Sequence, residues 1–169
     1  MFINSHLATG YLLYKLNIFE KKWFPIWILS AWIPDIDGLW SSSVVEHHSV
    51  LHTQIFWIVL CSLGWIIGHL QKNINIKTFF IILFIGTFAH LFTDYITART
   101  VGIKWLYPLN DVDYFLYPII PENGDIPIWK MLVPPYLTFY FENKLLTAFE
   151  LLLNIFALVL YFSSFKKLN

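Results

Sequence analysis

A histidine and an aspartate lie one helical turn apart inside a long apolar stretch of the sequence. They are His90 and Asp94, in the order His-Leu-Phe-Thr-Asp. A spacing of four residues puts both side chains on one face of a helix. Ionisable groups in such a segment are costly to bury and usually face a polar interior with a partner. The pair indicates a functional site; the alternative is a hydrogen-bonded pair that only fixes helix packing.

Two other segments carry side chains of the kind that bind metals. Asp35 and Asp37 follow a proline, and carboxylates at this spacing suit hard or borderline cations, although a solvated turn has the same pattern. His47, His48 and His52 begin another apolar stretch. A helix would align His48 with His52, whereas a preceding loop would let His47 converge with His52. A surface cluster without a ligand is the alternative.

Two single residues complete the set of ligand-type side chains. His6 begins the first apolar stretch, and Glu150 lies near the start of the last one. A lone histidine at a helix start is most often a cap or a surface residue. A lone glutamate in an apolar stretch is more informative, because its burial is expensive unless it is paired.

These residues are more informative together than apart. Burial of His90, Asp94 and Glu150 without partners would cost several kcal/mol, and shared coordination of cations would offset that cost. Imidazole and carboxylate ligands suit zinc or a similar divalent metal. The candidate ligands outnumber the four that one tetrahedral zinc needs, which favours a site for two ions that activates water for hydrolysis.

The elements that must position these residues are apolar and helical. The composition, 57% hydrophobic and 13% charged, is too apolar for a soluble domain of this size. Stretches of about 20 residues can cross a bilayer. Three are that long, at Val50–Leu70, Lys77–Thr97 and Leu145–Phe165, and two are shorter, at Leu7–Phe19 and Trp23–Pro34.

This pattern predicts an all-α polytopic membrane bundle of about five helices, forming one domain over residues 1–169. Pro34 is expected to break the second short stretch and to start an acidic loop. The segment 98–144 holds most of the prolines and is predicted to form an irregular cap on the membrane interface.

The distribution of charge predicts an orientation. If both short stretches cross the membrane, the predicted ligands all lie on one side. The other side then receives Lys15, Lys21, Lys22, Lys72, Lys77, Lys166 and Lys167. The positive-inside rule makes that lysine-rich side, with the C-terminus, cytoplasmic. The sequence therefore predicts a multi-pass inner-membrane protein with an extracytoplasmic site. A balanced net charge without a basic patch excludes a nucleic-acid partner.

The motifs recur in an order that is typical of a known family. They are His6 to Gly10 (His-x-x-x-Gly), Pro34 to Asp37 (Pro-Asp-x-Asp), His47 through Thr53, His90 with Asp94 and Thr97 (His-x-x-x-Asp-x-x-Thr), and Gly102 with Tyr107-Pro108. This series resembles the YdjM-like family of small bacterial and archaeal inner-membrane proteins, which are described as metal-dependent hydrolases. The His-x-x-x-Asp element is also remotely similar to zinc-dependent phospholipase C, which would imply a phosphoester substrate.

The chain departs from the family pattern in one motif. The family has His-Arg-x-x-Thr-His-Ser where this chain has His48, Leu51 and Thr53 in place of the arginine, threonine and serine. If that arginine binds an anion, His48 would do so weakly, or only when it is protonated. The resemblance selects His47 and His52 as ligands, whereas helical spacing alone selects His48 and His52.

The leading hypothesis is a membrane-bound metal-dependent hydrolase that acts on a phosphoester or lipid substrate, in contact with membrane lipid. Zinc is the expected metal, and two ions would fit the number of ligands. Asp35, His90 and Asp94 are the predicted catalytic residues. The predicted metal ligands are His6, Asp35, Asp37, His47, His52, His90, Asp94 and Glu150.

Two other functions fit the same residues. A metal- or proton-coupled transporter would use His90, Asp94 and Glu150 as a relay. A non-catalytic membrane interaction protein would use the metal only to fold.

Overall fold

The computed structural model describes residues 2–48, 50–98, 101–116, 126–134 and 136–165, and most of these residues form helices that are joined by turns and short extended segments. This confirms the all-α prediction. Over those ranges the only β-type pairing is an isolated bridge between Ile103 and Tyr114. The α-helices are α1 (Ile3–Lys15), α2 (Phe24–Ser30), α3 (Val44–His47), α4 (Gln54–Leu70), α5 (Ile74–Thr97), α6 (Tyr136–Glu142) and α7 (Lys144–Phe165). Short 3₁₀ helices cover Lys21–Trp23, Ile33–Leu39, Val50–His52 and Ile128–Leu132.

Within the part of the chain that the structure describes, two helices are long and apolar enough to cross a membrane. They are α5, with 24 residues, and the segment Lys144–Ser164 of α7, with 21 residues. The predicted long span Val50–Leu70 is interrupted. Residues Val50–His52 form a 3₁₀ turn, Thr53 is extended, and α4 itself has 17 residues. A continuous helix from Val50 is therefore wrong, and the break turns the His52 ring away from the axis of α4 and towards Asp37.

The first short stretch also differs from its prediction. Helix α1 begins at Ile3 and ends at Lys15, earlier than the predicted Leu7–Phe19. Asn17 has a φ of 54°, a left-handed conformation that an α-helix cannot continue through. The earlier start places His6 within the helix, on its buried side.

The prediction of an acidic loop after Pro34 is wrong. Helix α2 already ends at Ser30, and Pro34 occupies the first turn of the 3₁₀ helix Ile33–Leu39. Proline is well tolerated there because its fixed φ suits a helix start and its missing N–H has no intrahelical partner to lose. Asp35 and Asp37 therefore lie on a rigid turn rather than on a solvated loop.

Helix α5 is the centre of the fold and packs against α4, α2 and α1. Glycines permit this close packing. A Cβ at Gly86 would overlap Ser30 Oγ and lie 3.0 Å from the Ser30 carbonyl carbon, and a Cβ at Gly10 would lie 2.6 Å from the Trp27 carbonyl oxygen. Small residues let helix backbones approach closely in membrane proteins. The resulting contacts hold α1 against α2 and the end of α2 against α5.

Helix α7 attaches to α1 through polar side chains at several levels. Near its start, Ser5 Oγ donates to Glu150 Oε2 at 3.0 Å, and Asn154 Nδ2 donates to Ser5 Oγ at 2.7 Å. Near its end, Lys15 Nζ donates to Ser164 Oγ at 2.6 Å. The opposite face of α7 exposes large apolar side chains, which is the pattern expected of a helix with one face towards lipid.

The segment predicted as an irregular cap is partly helical. It contains the 3₁₀ helix Ile128–Leu132 and α6. The remainder of its described residues form turns and extended backbone. Residues 117–125, within this segment, and Lys166 and Lys167, which were assigned to the cytoplasmic side, lie outside the described residues. The position of the segment at the membrane interface remains a prediction.

Candidate metal centre

Most of the predicted ligands meet where α1, α5 and three short segments converge. Helix α1 supplies His6, and α5 supplies His90 and Asp94. The 3₁₀ helix Ile33–Leu39 supplies Asp35 and Asp37. His47 comes from α3, His48 directly follows that helix, and His52 comes from the 3₁₀ helix Val50–His52. His6, His52 and His90 each have an exposed fraction of 0%.

One group of ligand atoms comes from His6, Asp35, His90 and Asp94, all within 4.8 Å of one another. His6 Nε2 lies 3.1 Å from Asp94 Oδ1, and His90 Nε2 lies 3.0 Å from Asp94 Oδ2. The spacing of four residues between His90 and Asp94 therefore brings both side chains to one site, as predicted. The two oxygens of Asp94 face histidines from two different helices.

A second group comes from His47, His48 and His52, whose ligand atoms also lie within 4.8 Å. His52 connects the two groups, because its Nε2 lies 3.5 Å from Asp35 Oδ1 and 3.4 Å from His90 Nε2. The sequence left open whether His47 or His48 converges with His52, and in the structure both of them do. No continuous helix relates His48 to His52, since α3 ends at His47.

Asp35 lies between the two groups. Its Oδ1 is within 3.4 Å of His47 Nε2 and of His90 Nε2, and within 3.5 Å of His52 Nε2. Three ring nitrogens thus converge on one carboxylate oxygen. Its other oxygen, Oδ2, faces His6 Nε2 at 3.8 Å. This position suits a carboxylate that is shared between two cations.

Asp37 lies behind the histidine rings. Its Oδ1 is 2.5 Å from His47 Nδ1, and its Oδ2 is 3.3 Å from His52 Nδ1. An ionised carboxylate only accepts hydrogen bonds, so both Nδ1 atoms must carry protons, and both Nε2 atoms face Asp35. Asp37 belongs to neither group of converging ligand atoms. Asp37 is therefore in a position to orient two histidines that are predicted ligands, while its own role as a ligand remains a prediction.

A backbone carbonyl does the same for His90. Its Nδ1 lies 2.8 Å from the carbonyl oxygen of Ala31, at the end of α2. Because a carbonyl can only accept, Nδ1 donates and Nε2 is left to bind a ligand. Ala31 could not be predicted from the sequence, since a carbonyl at a helix end is present whatever the residue type.

Several buried polar atoms of the centre lack hydrogen bonds of good geometry. They include both ring nitrogens of His6 and Oδ2 of Asp35. Buried polar atoms in proteins are nearly always hydrogen-bonded, and a cation would satisfy these atoms. Imidazole nitrogens with carboxylate oxygens are the donor set of zinc and related divalent metals. The residues therefore fit a metal centre.

Asp35 and the histidines around it stabilise one another in their charged forms. Burial disfavours the ionised carboxylate of Asp35, but His90 and the hydrogen bonds of the surrounding histidines outweigh it and hold the pKa of Asp35 well below its usual value. Burial also disfavours protonation of His47, but hydrogen bonds to Asp35 and Asp37 raise the pKa of that ring to about 9. Asp35 is thus ionised and ready to act as an anionic ligand.

His48 has a different environment. Its Nδ1 lies 3.2 Å from the carbonyl oxygen of Gly102, and its ring stacks on His52 at 4.7 Å between centroids. Burial, together with His52 and His47, lowers the pKa of His48 to about 3. A neutral ring cannot supply the positive charge that an arginine would carry at this place in the motif.

Glu150 lies apart from both groups of ligand atoms. Its side chain has an exposed fraction of 2%. Its Oε2 accepts hydrogen bonds from the backbone N–H of Phe2 at 3.3 Å and from Ser5 Oγ at 3.0 Å. Glu150 thus holds the first turn of α1, next to His6, while its role as a direct ligand remains a prediction. His69 lies at the other end of α4, stacked on Trp65.

A comparison with known families shows to which family the chain belongs. The model of the YdjM inner membrane protein family matches residues 1–168. The chain belongs to the YdjM inner membrane protein family. This confirms the family resemblance seen in the motifs, and it agrees with the two apolar helices of membrane-spanning length. No curated protein and no solved structure gives a significant match, so the remote similarity of this YdjM protein to zinc-dependent phospholipase C remains a hypothesis.

Proposed function

We propose that this YdjM protein is a membrane-bound, metal-dependent hydrolase that cleaves a phosphoester or lipid substrate at the membrane interface. The convergence of His6, Asp35, His90 and Asp94 within 4.8 Å, in a buried site, is the observation that carries the proposal. Ionisable groups are costly to bury in such a protein, and a common ligand explains why they are brought together.

The two groups of ligand atoms support a site for two cations, most suitably zinc. His6, His90 and Asp94 would hold one ion, and His47, His48 and His52 would hold the other, with Asp35 between them. A divalent cation held there lowers the pKa of water and stabilises negative charge on the oxygens of the substrate. Asp37 and the carbonyl of Ala31 keep the histidine tautomers that present Nε2 to the site.

Orientation and topology extend the proposal. We infer that the protein crosses the inner membrane several times, with the lysine-rich loops and the C-terminus in the cytoplasm and the metal centre on the extracytoplasmic side. The ligands lie at one end of α5, in His90 and Asp94, and at the start of α4, in His52. A substrate at the lipid–water boundary would therefore meet the site without crossing the membrane.

The proposal is tested by measuring metal content and hydrolysis on the same purified samples. Protein extracted in detergent is expected to retain about two zinc ions per chain and to lose thermal stability when they are chelated. His90→Ala and Asp94→Asn are expected to lose more metal affinity than the roughly 10- to 100-fold loss caused by removing an orienting residue. Both variants should lose hydrolysis of phosphomonoester, phosphodiester and phospholipid substrates.

His69→Ala is the matched control, because this histidine also lies in an apolar helix but outside both ligand groups. It should retain metal and activity. Purified protein without bound divalent metal, whose unfolding temperature is insensitive to chelators, would contradict the proposal. Metal-dependent uptake into proteoliposomes without hydrolysis would instead indicate a transporter, and unfolding of Asp94→Asn would indicate a metal that serves only to fold the protein.

A further inference from the structure

A cavity of about 230 Å³ lies beside the second ligand group. Its lining includes Val45, His48, Thr53, Lys104 and Asp111. His48 reaches this cavity and also stacks on His52. A molecule in the cavity would therefore touch a residue of the candidate metal centre. The volume is below the 300 Å³ or more of a typical drug-sized pocket, which suits a small polar group rather than a whole lipid.

The cavity beside His48 is more polar than a larger cavity between α4 and α5. A cavity of about 430 Å³ between α4 and α5 is lined mainly by apolar side chains, including Ile58, Trp65 and Phe84. That surface suits lipid chains. The cavity beside His48 instead combines a cation, a carboxylate and a hydroxyl, in Lys104, Asp111 and Thr53.

Lys104 is the cation of this cavity. His48, which also lines the cavity, uses its Nδ1 proton to donate to the carbonyl oxygen of Gly102. The hydrogen bond to Asp111 raises the pKa of Lys104, and Asp113 adds to this effect through its charge. Lys104 is therefore fully charged at neutral pH.

The partner of Lys104 is a carboxylate that a ligand can displace. Lys104 Nζ forms an ion pair with Asp111 Oδ1. The side chain of Asp111 has an exposed fraction of 71%, whereas that of Lys104 has 22%. Ion pairs this exposed contribute little free energy, so Asp111 can move into solvent while Lys104 stays at the cavity. The carboxylate oxygen marks the place that an oxygen of an anionic ligand would take.

We propose that this cavity binds a phosphate group of the substrate, with Lys104 as its cationic partner and Asp111 as the group that the phosphate displaces. The inference rests on the proposed function, because a phosphate held at Lys104 would lie beside the histidines of the second ligand group. The phosphate belongs either to a lipid headgroup or to a soluble ester, and both present the same oxygens to Lys104.

The test measures phosphate binding rather than activity. Equilibrium dialysis of zinc-loaded protein in detergent gives the affinity for inorganic phosphate, and a parallel series uses micelles that contain phosphatidic acid. Lys104→Gln should weaken binding about tenfold, because it removes a charge-assisted hydrogen bond. Lys104→Arg should preserve binding. Asp111→Asn should tighten binding about threefold, because it removes a weak competitor for Lys104.

Two further variants test whether phosphate binding depends on this cavity or only on the overall positive charge of the protein. Lys130→Gln removes a lysine that lies over the Trp129 ring and not at the cavity, and it should leave binding unchanged. Val45→Trp fills the cavity at a residue that is already 45% exposed, and it should block binding. Metal content should be unchanged in all of these variants.

The outcomes distinguish this inference from the proposed function. An effect of Lys104→Gln only with phosphatidic acid assigns the site to a lipid headgroup, and an effect in both series extends it to soluble phosphate. Equal affinities of Lys104→Gln and wild type in both series, or weaker binding by Asp111→Asn, would overturn the inference. If the protein holds no zinc, the proposed function fails, and the same variants compared without metal still decide whether the phosphate site exists.

Discussion

At the scale of single residues, one carboxylate determines the state of two rings. The oxygens of Asp37 each accept from one Nδ1, in His47 and in His52. Both rings then present Nε2 to Asp35. A single aspartate thus orients two candidate ligands through their Nδ1 atoms.

Asp37→Asn is expected to impair one of the two histidines selectively. An amide has one accepting oxygen, and its NH₂ group can only donate. One ring must therefore accept at Nδ1, which moves its proton to Nε2 and removes that nitrogen as a ligand. Metal affinity should fall about 10- to 100-fold, measured by competition with a chelator, and the absorption spectrum of the cobalt-loaded protein should report one fewer nitrogen ligand.

The control for this prediction is Glu46→Gln, an exposed acid whose side chain accepts hydrogen bonds from Ser42 and lies outside both ligand groups. It should leave metal affinity unchanged. If Asp37→Asn retains the wild-type affinity and cobalt spectrum, Asp37 does not orient the histidines.

The sequence predicted ligand types better than it predicted ligand roles. His90 and Asp94 could be paired because four residues make one helical turn, a purely local relationship. The placement of Asp37 behind two rings could not be predicted, because it depends on the angle between a 3₁₀ turn and two separate histidine segments. The separation of Glu150 from the ligand groups has the same cause, since it depends on how far α7 lies from α5.

At the scale of elements, the distance between α2 and α5 controls the centre. Gly86 of α5 faces Ser30 of α2, and the next residue, Ala31, supplies the carbonyl oxygen that orients His90. A side chain added between the two helices would therefore change the position of His90 relative to the Ala31 carbonyl, although Gly86 is one turn away from His90.

Gly86→Ala should separate α2 from α5 and weaken metal binding. The added Cβ would overlap the Ser30 hydroxyl and lie 3.0 Å from backbone, so the clash cannot be relieved by rotating Ser30 alone. Overpacking of this kind typically costs about 1–3 kcal/mol. We expect a lower unfolding temperature together with reduced zinc affinity, since the hydrogen bond between His90 and Ala31 lengthens.

Gly64→Ala is the matched control, because the atoms nearest to its Cβ would belong to the Phe80 ring, between α4 and α5. It should reduce stability without a matching loss of zinc affinity. If both variants lose zinc affinity equally, the effect is a general loss of stability and not a change at His90.

The long elements could be predicted and the short ones could not. The ends of α5 and α7 agree with the apolar stretches to within a few residues, because long apolar helices are defined by local composition. The 3₁₀ helices at Ile33–Leu39 and Val50–His52 are stabilised by contacts between distant segments, in particular the hydrogen bonds of Asp37 to His47 and His52. Local propensity does not specify such turns.

At the scale of the whole molecule, the ligands gather at one end of the helices. His52 lies just before α4 and His69 near its far end, and the turn after α4 carries Gln71. Composition alone predicted an all-helical membrane protein. The assignment of successive loops to alternating sides of the membrane predicted that the ligands lie on one side. The short distances between the ligand side chains could be recognised only in the tertiary structure.

The orientation predicts which end can be labelled from outside the cell. In a background without Cys61, Leu109→Cys should react with a membrane-impermeant maleimide in intact cells, because Leu109 is 84% exposed in the segment assigned to the site side. Gln71→Cys, at the other end of α4, should react only after permeabilisation. The reverse pattern would place the metal centre in the cytoplasm.

The attachment of α7 to α1 has a consequence for the order in which the protein is made. Glu150 and Asn154 hold the turn that carries Ser5 and, next to it, His6. The ribosome produces α7 after every other helix described here, so a nascent chain carries His6 long before the segment that secures it. We therefore expect the candidate centre to be completed late in synthesis, and an incomplete chain in the membrane to bind metal poorly.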